Sequence, residues 1–180
     1  MSTFTAPNMR ELVEMQAEKY GDKTFIKYVN DGQVFEKSYA DLRRDSLCFC
    51  RYFRSLLGEK KHIAVISKTN YEYIVSVTGI LMSGNVFIPL AHDISGKEAA
   101  AIINRADVDA LVYDKSFETY VGHVKEHCPG VEVYKNLADS SDYEKIYNEF
   151  SDGSENAYLS DYEADKDACC AIIFTSGTTG

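Results

Sequence analysis

The chain has 180 residues, of which 45% are hydrophobic and 26% are charged, proportions that are ordinary for a globular domain. Its formal net charge of -9 argues against a nucleic-acid partner, because phosphates are neutralised by basic surfaces. The sequence contains no run of about 20 apolar residues that could span a membrane, and its odd number of cysteines and lack of N-x-[ST] sites favour the reducing cytoplasm.

The first part of the chain predicts a helix, a hairpin and a longer helix. Asn8 starts an apolar stripe of helical spacing that ends at Gly21. Two alternating segments, TFIKYV and QVFEKS, flank Asp31 and Gly32, a pair typical of a hairpin turn. Ser38 is a suitable N-cap for a helix over residues 39–57.

From residue 62 onward, short apolar strands alternate with helical segments. Capping boxes predict helix starts at Thr69 and Ser95 and a short helix at Ser141. Further predictions are a helix at 117–127 and strands at 63–66, 86–90, 110–113, 131–134 and 170–174. Strands that are apolar on both faces are typical of parallel sheets covered by helices. The expected fold is therefore a three-layer α/β structure with a mostly parallel, Rossmann-like sheet.

The strongest candidate site is the glycine- and hydroxyl-rich stretch after the last predicted strand. Its members are Thr175, Ser176, Gly177, Thr178, Thr179 and Gly180. Open α/β sheets bind ligands beyond the carboxyl ends of their strands, where hydroxyls and backbone N–H groups can hold phosphate oxygens. The stretch lacks the lysine of a Walker A loop. Composition alone leaves an ordinary polar turn as an equal alternative.

Three segments resemble the adenylate-forming enzymes, which include acyl-CoA synthetases and peptide-synthetase adenylation domains. FTSGTTG at the end of the chain resembles the start of that family's phosphate loop. SYADL at 38–42 and GILMSGNVFIPL at 79–90 resemble its first two core motifs, in the family's order. The segment up to Leu90 is most similar to the long-chain fatty acyl-CoA synthetase branch. Ala91 departs from the usual aspartate, and a carboxylate follows only at Asp93.

The resemblance implies an AMP-forming ligase that uses ATP, Mg²⁺ and coenzyme A. A carboxylate, in this branch a fatty acid, attacks the α-phosphate of ATP, and the thiol of coenzyme A then displaces AMP. Residues 175–180 would hold the ATP phosphates, while catalytic and metal-binding residues would lie downstream of this stretch. Residues 1–180 would then be an incomplete amino-terminal domain, which we expect to be inactive by itself and to self-associate through unpaired surfaces.

Within this domain, the expected units are residues 1–61, a βαβ core at 62–137, a connector at 138–168, and the last strand with its loop at 169–180. The connector is expected from ten acidic residues against two lysines. Alternative functions are an amino-acid- or aryl-activating adenylation domain, and a non-catalytic nucleotide-binding or assembly module.

A second pattern, HVKEH at 123–127, fits the H-x-x-E-H zinc motif. It lies on a short predicted helix that Pro129 follows, and the favoured interpretation is a pair of solvent-exposed histidines. Of the pair Cys48/Cys50, Cys50 is expected in the core and Cys48 at its margin. The pair Cys169/Cys170 is interpreted as packing or chance exposure, with redox sensing as the alternative. No metal site is predicted.

Overall fold

The computed structural model describes residues 6–30, 32–137, 140–151, 165 and 167–175. The helices are α1 (Met9–Tyr20), α2 (Tyr39–Leu57), α3 (Tyr71–Met82), α4 (Gly96–Arg105), α5 (Glu118–His127) and α6 (Ser140–Phe150). The strands are β1 (Thr24–Asn30), β2 (Gln33–Ser38), β3 (His62–Ile66), β4 (Val86–Pro89), β5 (Ala110–Tyr113) and β6 (Val133–Asn136). A 3₁₀ turn at Lys115–Phe117 precedes α5.

The central sheet is parallel, with the strand order β4-β3-β5-β6. Side chains of β3 alternate between two cores. Ile63 and Val65 belong to the core formed with α2, α3 and α6, whereas Ala64 and Ile66 belong to the core formed with α4 and α5. Helices therefore cover both faces of the sheet, and the predicted three-layer fold is confirmed. The antiparallel β1–β2 hairpin forms a separate sheet, as predicted.

Helix starts follow from local side-chain hydrogen bonds. The Ser38 hydroxyl accepts from the N–H of Asp41 at 3.0 Å, and the Asp41 carboxylate accepts from the Ser38 N–H at 2.9 Å, so α2 begins with a complete capping box. The predicted cap at Thr69 is wrong. Asn70 caps α3 instead, because its side-chain oxygen accepts from the N–H of Tyr73 at 2.8 Å, which starts the helix one residue later.

Strand β6 begins two residues later than predicted. Its register is set by β5, where Ala110 pairs with Val133 and Tyr113 pairs with Asn136. Val131, the expected first residue of this strand, instead lies in the core beside α4 and α5. Long-range pairing thus overrides the local alternation from which the strand was predicted.

Two segments near the carboxyl end of the chain also differ from their predictions. The short helix expected at Ser141 extends from 140 to Phe150, and it buries Ile146 and Phe150 in the core shared with α2 and α3. The strand expected at 170–174 forms a single parallel bridge, between Ala171 and Phe87 of β4.

Two predictions in the first part of the chain have different outcomes. Cys48, expected at the margin of the core, is as buried as Cys50. Asp31 of the predicted hairpin turn lies outside the described residues.

A buried carboxylate joins the three helices on one face of the sheet. Asp45 of α2 is 1% exposed and accepts a 2.8 Å hydrogen bond from the hydroxyl of Tyr71 in α3. Arg44 lies 2.9 Å from the same carboxylate, and the Tyr143 hydroxyl of α6 lies 3.5 Å away. Burial, followed by the charge of Asp45, raises the pKa values of both tyrosines. Both hydroxyls therefore remain protonated donors and link α3 and α6 to α2.

No helix among the described residues combines the length and apolar character needed to cross a membrane.

Candidate functional site

The predicted phosphate loop begins at the edge of the central sheet, next to β4. The Phe87 N–H donates to the carbonyl of Cys170 at 2.9 Å, and the Ile172 N–H donates to the carbonyl of Phe87 at 3.0 Å. The two segments run parallel, so Thr175 emerges at the same edge as the residues that follow Pro89. Thr175 therefore lies at the carboxyl ends of the parallel strands, where open α/β folds bind their ligands.

One face of this segment anchors it to the domain. Ile172 and Phe174 pack against the core beside α4 and α5, whereas Ile173 points outward and is 70% exposed. This alternation is typical of an extended chain with one buried face. The anchored residues fix the position of Thr175, whose side chain is exposed at the start of the predicted loop.

Of the six predicted phosphate-binding residues, the structure places Thr175 at this edge. Ser176, Gly177, Thr178, Thr179 and Gly180 lie outside the described residues, and their contact with phosphate stays a prediction. The hydroxyl of Thr175 is accessible and could donate to an anionic oxygen, so the described part of the loop fits a phosphate ligand.

The connection after β4 places two polar side chains at the same edge as Thr175. His92 and Asp93 follow the end of the strand and are exposed. Because Ala171 is level with Phe87, residues 91–93 reach the height at which the predicted loop begins. In the sequence, Asp93 is notable only because it follows Ala91, which replaces the usual aspartate of a family motif. Its position relative to the loop depends on the pairing with β4, which the sequence does not show.

The amino ends of the neighbouring helices are already occupied by side chains. Asn70 caps α3, and the Ser95 hydroxyl and the Glu98 carboxylate form a capping box on α4. Hydrogen bonds from the backbone N–H and hydroxyl of Ser95 lower the pKa of Glu98, so a carboxylate occupies the positive end of α4. Phosphate recognition at this edge would therefore depend on the loop and not on these two helix ends.

A separate cavity of about 790 Å³ opens between the ends of β3 and β5. The connections after these strands leave toward opposite faces of the sheet, which creates the crevice that such folds use for ligands. Its lining contains three carboxylates, Glu72, Asp114 and Glu144, and one ammonium, Lys115. This balance is unfavourable for a triphosphate, so the lining of this cavity does not fit such a ligand.

The pKa of a tyrosine supports this view of the cavity. Burial, followed by the negative charges of Glu72 and Asp45, raises the pKa of Tyr28, whose side chain lines the wall formed by the hairpin. Sequence reasoning missed this cavity because it depends on the order of the strands. The sequence predicts only that the strands exist.

Comparison with known proteins identifies the family. A family model described as AMP-binding enzyme matches residues 13–180. The chain belongs to the AMP-binding enzyme family. This result confirms the relationship inferred from the motifs at 38–42, 79–90 and 174–180.

Named relatives of the chain include two ligases. A 4-hydroxybutyrate–CoA ligase from Metallosphaera sedula is 23% identical over 93% of the chain and 32% of its own length. A long-chain-fatty-acid–CoA ligase from Thermus thermophilus is 21% identical over 96% of the chain and 32% of its own length. The chain thus spans about a third of the length of these curated relatives.

The fold of the chain also has solved counterparts. The inhibitor-bound N-terminal domain of FACL13 from Mycobacterium tuberculosis superposes with a TM-score of 0.74 at 15% identity. The match covers 96% of the chain and 42% of that domain. The helices, parallel sheet and hairpin described above are therefore an arrangement shared with the amino-terminal domain of another protein.

Proposed function

We propose that the chain is the amino-terminal part of an ATP-dependent, AMP-forming carboxylate–CoA ligase. The supporting observation is the AMP-binding family match over residues 13–180, together with the position of Phe174 and Thr175, the first residues of FTSGTTG, directly after the segment that pairs with β4. Residues 175–180 bind the β- and γ-phosphates of ATP, and hydroxyl and N–H donors hold the phosphates in place while the α-phosphate is attacked. The relatives named as CoA ligases support coenzyme A as the thiol that accepts the acyl group.

The proposed reaction has two steps. The carboxylate of the substrate attacks the α-phosphate of ATP, which gives an acyl-adenylate and releases pyrophosphate. The thiol of coenzyme A then attacks the acyl carbon, and AMP leaves. Mg²⁺ would accompany the triphosphate and reduce the repulsion between its charges. We assign no residue of this chain to the ion, and no catalytic residue within residues 1–180.

The proposed substrate is a fatty acid. The motif region up to Leu90 resembles the long-chain fatty acyl branch, and one relative is named as a long-chain-fatty-acid ligase. In the proposed organisation, residues 1–61 precede the βαβ core at 62–137, and residues 138–168 connect this core to the loop-bearing segment 169–180. The helix α6 at the start of this connection packs on the core. We propose the cytoplasm as the location of the enzyme.

The test is carboxylate-dependent pyrophosphate–ATP exchange by the complete protein with fatty, aryl and amino acids as substrates. T178A should lower kcat/KM for ATP by roughly ten- to a hundredfold, because a hydrogen bond to a charged group contributes about 1.5–3 kcal/mol. T69A is the matched control, since Thr69 is an exposed threonine that lines the acidic cavity. Its exchange rate should match that of the parent protein.

The outcomes separate the possible functions. Exchange with fatty acids that T178A impairs supports the proposal, whereas exchange only with amino or aryl acids supports an adenylation domain of that type. A complete protein without exchange activity toward any carboxylate would overturn the ligase assignment and favour a non-catalytic module. Residues 1–180 alone are expected to be inactive, because they correspond to 32% of the length of the named ligases.

A further inference from the structure

Three potential metal ligands lie together on the last turns of α5. His123, Glu126 and His127 each offer a nitrogen or carboxylate oxygen, and these ligand atoms lie within 4.8 Å of one another. We propose that these residues form a binding site for a first-row transition-metal dication such as Zn²⁺. The site is distinct from the ATP phosphate loop and independent of the proposed ligase function.

The spacing of the three residues places them on one side of the helix. Residues three and four positions apart are neighbours on a helix surface, so a single ion can reach both imidazoles and the carboxylate. The two imidazole rings are stacked, with centroids 4.1 Å apart and an interplanar angle of 25°. Zinc–nitrogen bonds of about 2.0–2.1 Å in tetrahedral geometry require the two nitrogens to lie roughly 3.3 Å apart. Because the lone pairs lie in the nearly parallel ring planes, the two rings must rotate out of the stack before both can point at one ion.

A backbone hydrogen bond orients one of the two imidazoles. Nδ1 of His127 lies 2.9 Å from the carbonyl oxygen of His123. With its proton on Nδ1, the ring donates to that carbonyl and keeps the Nε2 lone pair available for a metal ion. Such hydrogen bonds on the second nitrogen are typical of histidines that bind metals, because they fix the ring and increase its basicity.

The other imidazole lies against the start of α4. A Cβ atom added at Gly96 would be 3.0 Å from Cδ2 of His123 and 3.2 Å from Cγ, so a glycine at this position leaves the space that the ring occupies. His123 is half-buried, whereas Glu126 and His127 are exposed. The site therefore combines one ligand held by a neighbouring helix with two ligands that can adjust to the ion.

Space for solvent ligands exists beside the site. His123 lines an open cavity of about 410 Å³, together with Gly96, Ser116 and Tyr120. Water from this cavity could complete four-coordination after the three side chains have bound.

The donor set selects the class of ion. Imidazole nitrogens suit Zn²⁺, Cu²⁺ and Ni²⁺, whereas Mg²⁺ and Ca²⁺ prefer sites built only of oxygen ligands. Mg²⁺ from the ATP chemistry should therefore not occupy this site. The sequence had offered the H-x-x-E-H pattern, but the stacked rings, the Nδ1 hydrogen bond and the Gly96 contact are visible only in the structure.

The test is titration of the purified protein with ZnCl₂, with the binding heat measured by isothermal titration calorimetry. All variants carry C169S and C170S, because these exposed thiols would also bind Zn²⁺. H123A and H127A should each weaken binding by about tenfold or more, and E126Q should weaken it measurably. H92A is the control, because His92 is an exposed histidine in the connection between β4 and α4 and is not part of the cluster. Its affinity should equal that of the parent.

The alternatives give different results. If H123A and H127A bind Zn²⁺ as tightly as the parent, while circular dichroism shows that both are folded, the proposed site is wrong. Unchanged affinity in E126Q would overturn the three-ligand arrangement. Displacement of Zn²⁺ by excess MgCl₂ would overturn the assignment to an imidazole-based site. A loss of affinity in both histidine variants, with H92A unaffected, supports it.

Discussion

Gly79 of α3 provides a sharp test of the packing between α2 and α3, because it lies directly against the backbone of α2. A Cβ atom at this position would be 2.6 Å from the Cβ of Phe49 and 3.1 Å from the backbone nitrogen of Cys50. Neither atom belongs to a flexible side-chain end. G79A should therefore force the two helices apart, although alanine is the better helix former.

The expected magnitude follows from the size of the clash. The contact with Phe49 must lengthen by roughly 0.8 Å to reach ordinary van der Waals distance, and a gap of about 0.5–1 Å forfeits a quarter to a half of each affected atom pair's attraction. Core insertions of this kind cost about 1–3 kcal/mol, and occasionally more. The gain in helix propensity of about 1 kcal/mol offsets part of this cost. Because the clashing atoms are a Cβ and a backbone nitrogen, the cost lies in the upper half of that range, at about 2–3 kcal/mol, and a net destabilisation of about 1–2 kcal/mol is expected.

Urea unfolding followed by circular dichroism measures this difference, and G122A is the matched control. Gly122 lies inside α5, and a Cβ there would meet nothing within 4 Å. G122A should therefore raise the free energy of unfolding by about 0.5–1 kcal/mol. The change from glycine to alanine is thus expected to lower the free energy of unfolding at residue 79 and to raise it at residue 122. If G79A is at least as stable as the parent while G122A behaves as expected, the close packing of α2 and α3 is refuted.

Two further predictions concern pH and association. Burial would raise the pKa of Asp109, but the Lys61 ammonium and the His62 N–H, each 2.8 Å from the carboxylate, hold it below its usual value. Asp109 therefore contributes its full stabilisation above its unfolded pKa of about 3.9, and this contribution is lost as pH falls through the lower folded pKa. The urea concentration at the unfolding midpoint should thus decrease at pH values below about 4, and it should decrease less steeply in D109N. Val29 and Val34 pair in the hairpin and are 68% and 62% exposed, so sedimentation velocity should show self-association that V34K weakens and L56K does not. A monomeric parent at all concentrations would contradict the second prediction.

The sequence predicted the residue types of the candidate site but not the structure that surrounds it. Small hydroxyl and glycine residues after an apolar strand are sufficient to suggest a phosphate loop, and the family match supports the relationship on which this prediction rests. The structure adds the anchoring of residues 172 and 174, the position beside β4, and the acidic cavity between β3 and β5. These features depend on which strands are neighbours, which residue spacing does not encode.

Local interactions account for what the sequence determined by itself. The capping boxes at Ser38 and Ser95 join residues three positions apart, so their helices could be predicted without knowledge of the fold. Apolar runs likewise predicted β3 and β5 and helices on both sides of a sheet. The error at Thr69 arose because Asn70, an equally good cap, stood next to it.

Tertiary structure decided the features that join distant residues. Asp45 meets Tyr71 across 26 positions and Tyr143 across 98, and the register of β6 follows β5 and not its own alternation. His123 likewise meets Gly96 only because α4 and α5 lie side by side on the same face of the sheet. Such contacts depend on the order in which strands assemble and on which helix faces are buried together. Both are properties of the whole chain, because free energy is gained only when distant apolar surfaces leave water together.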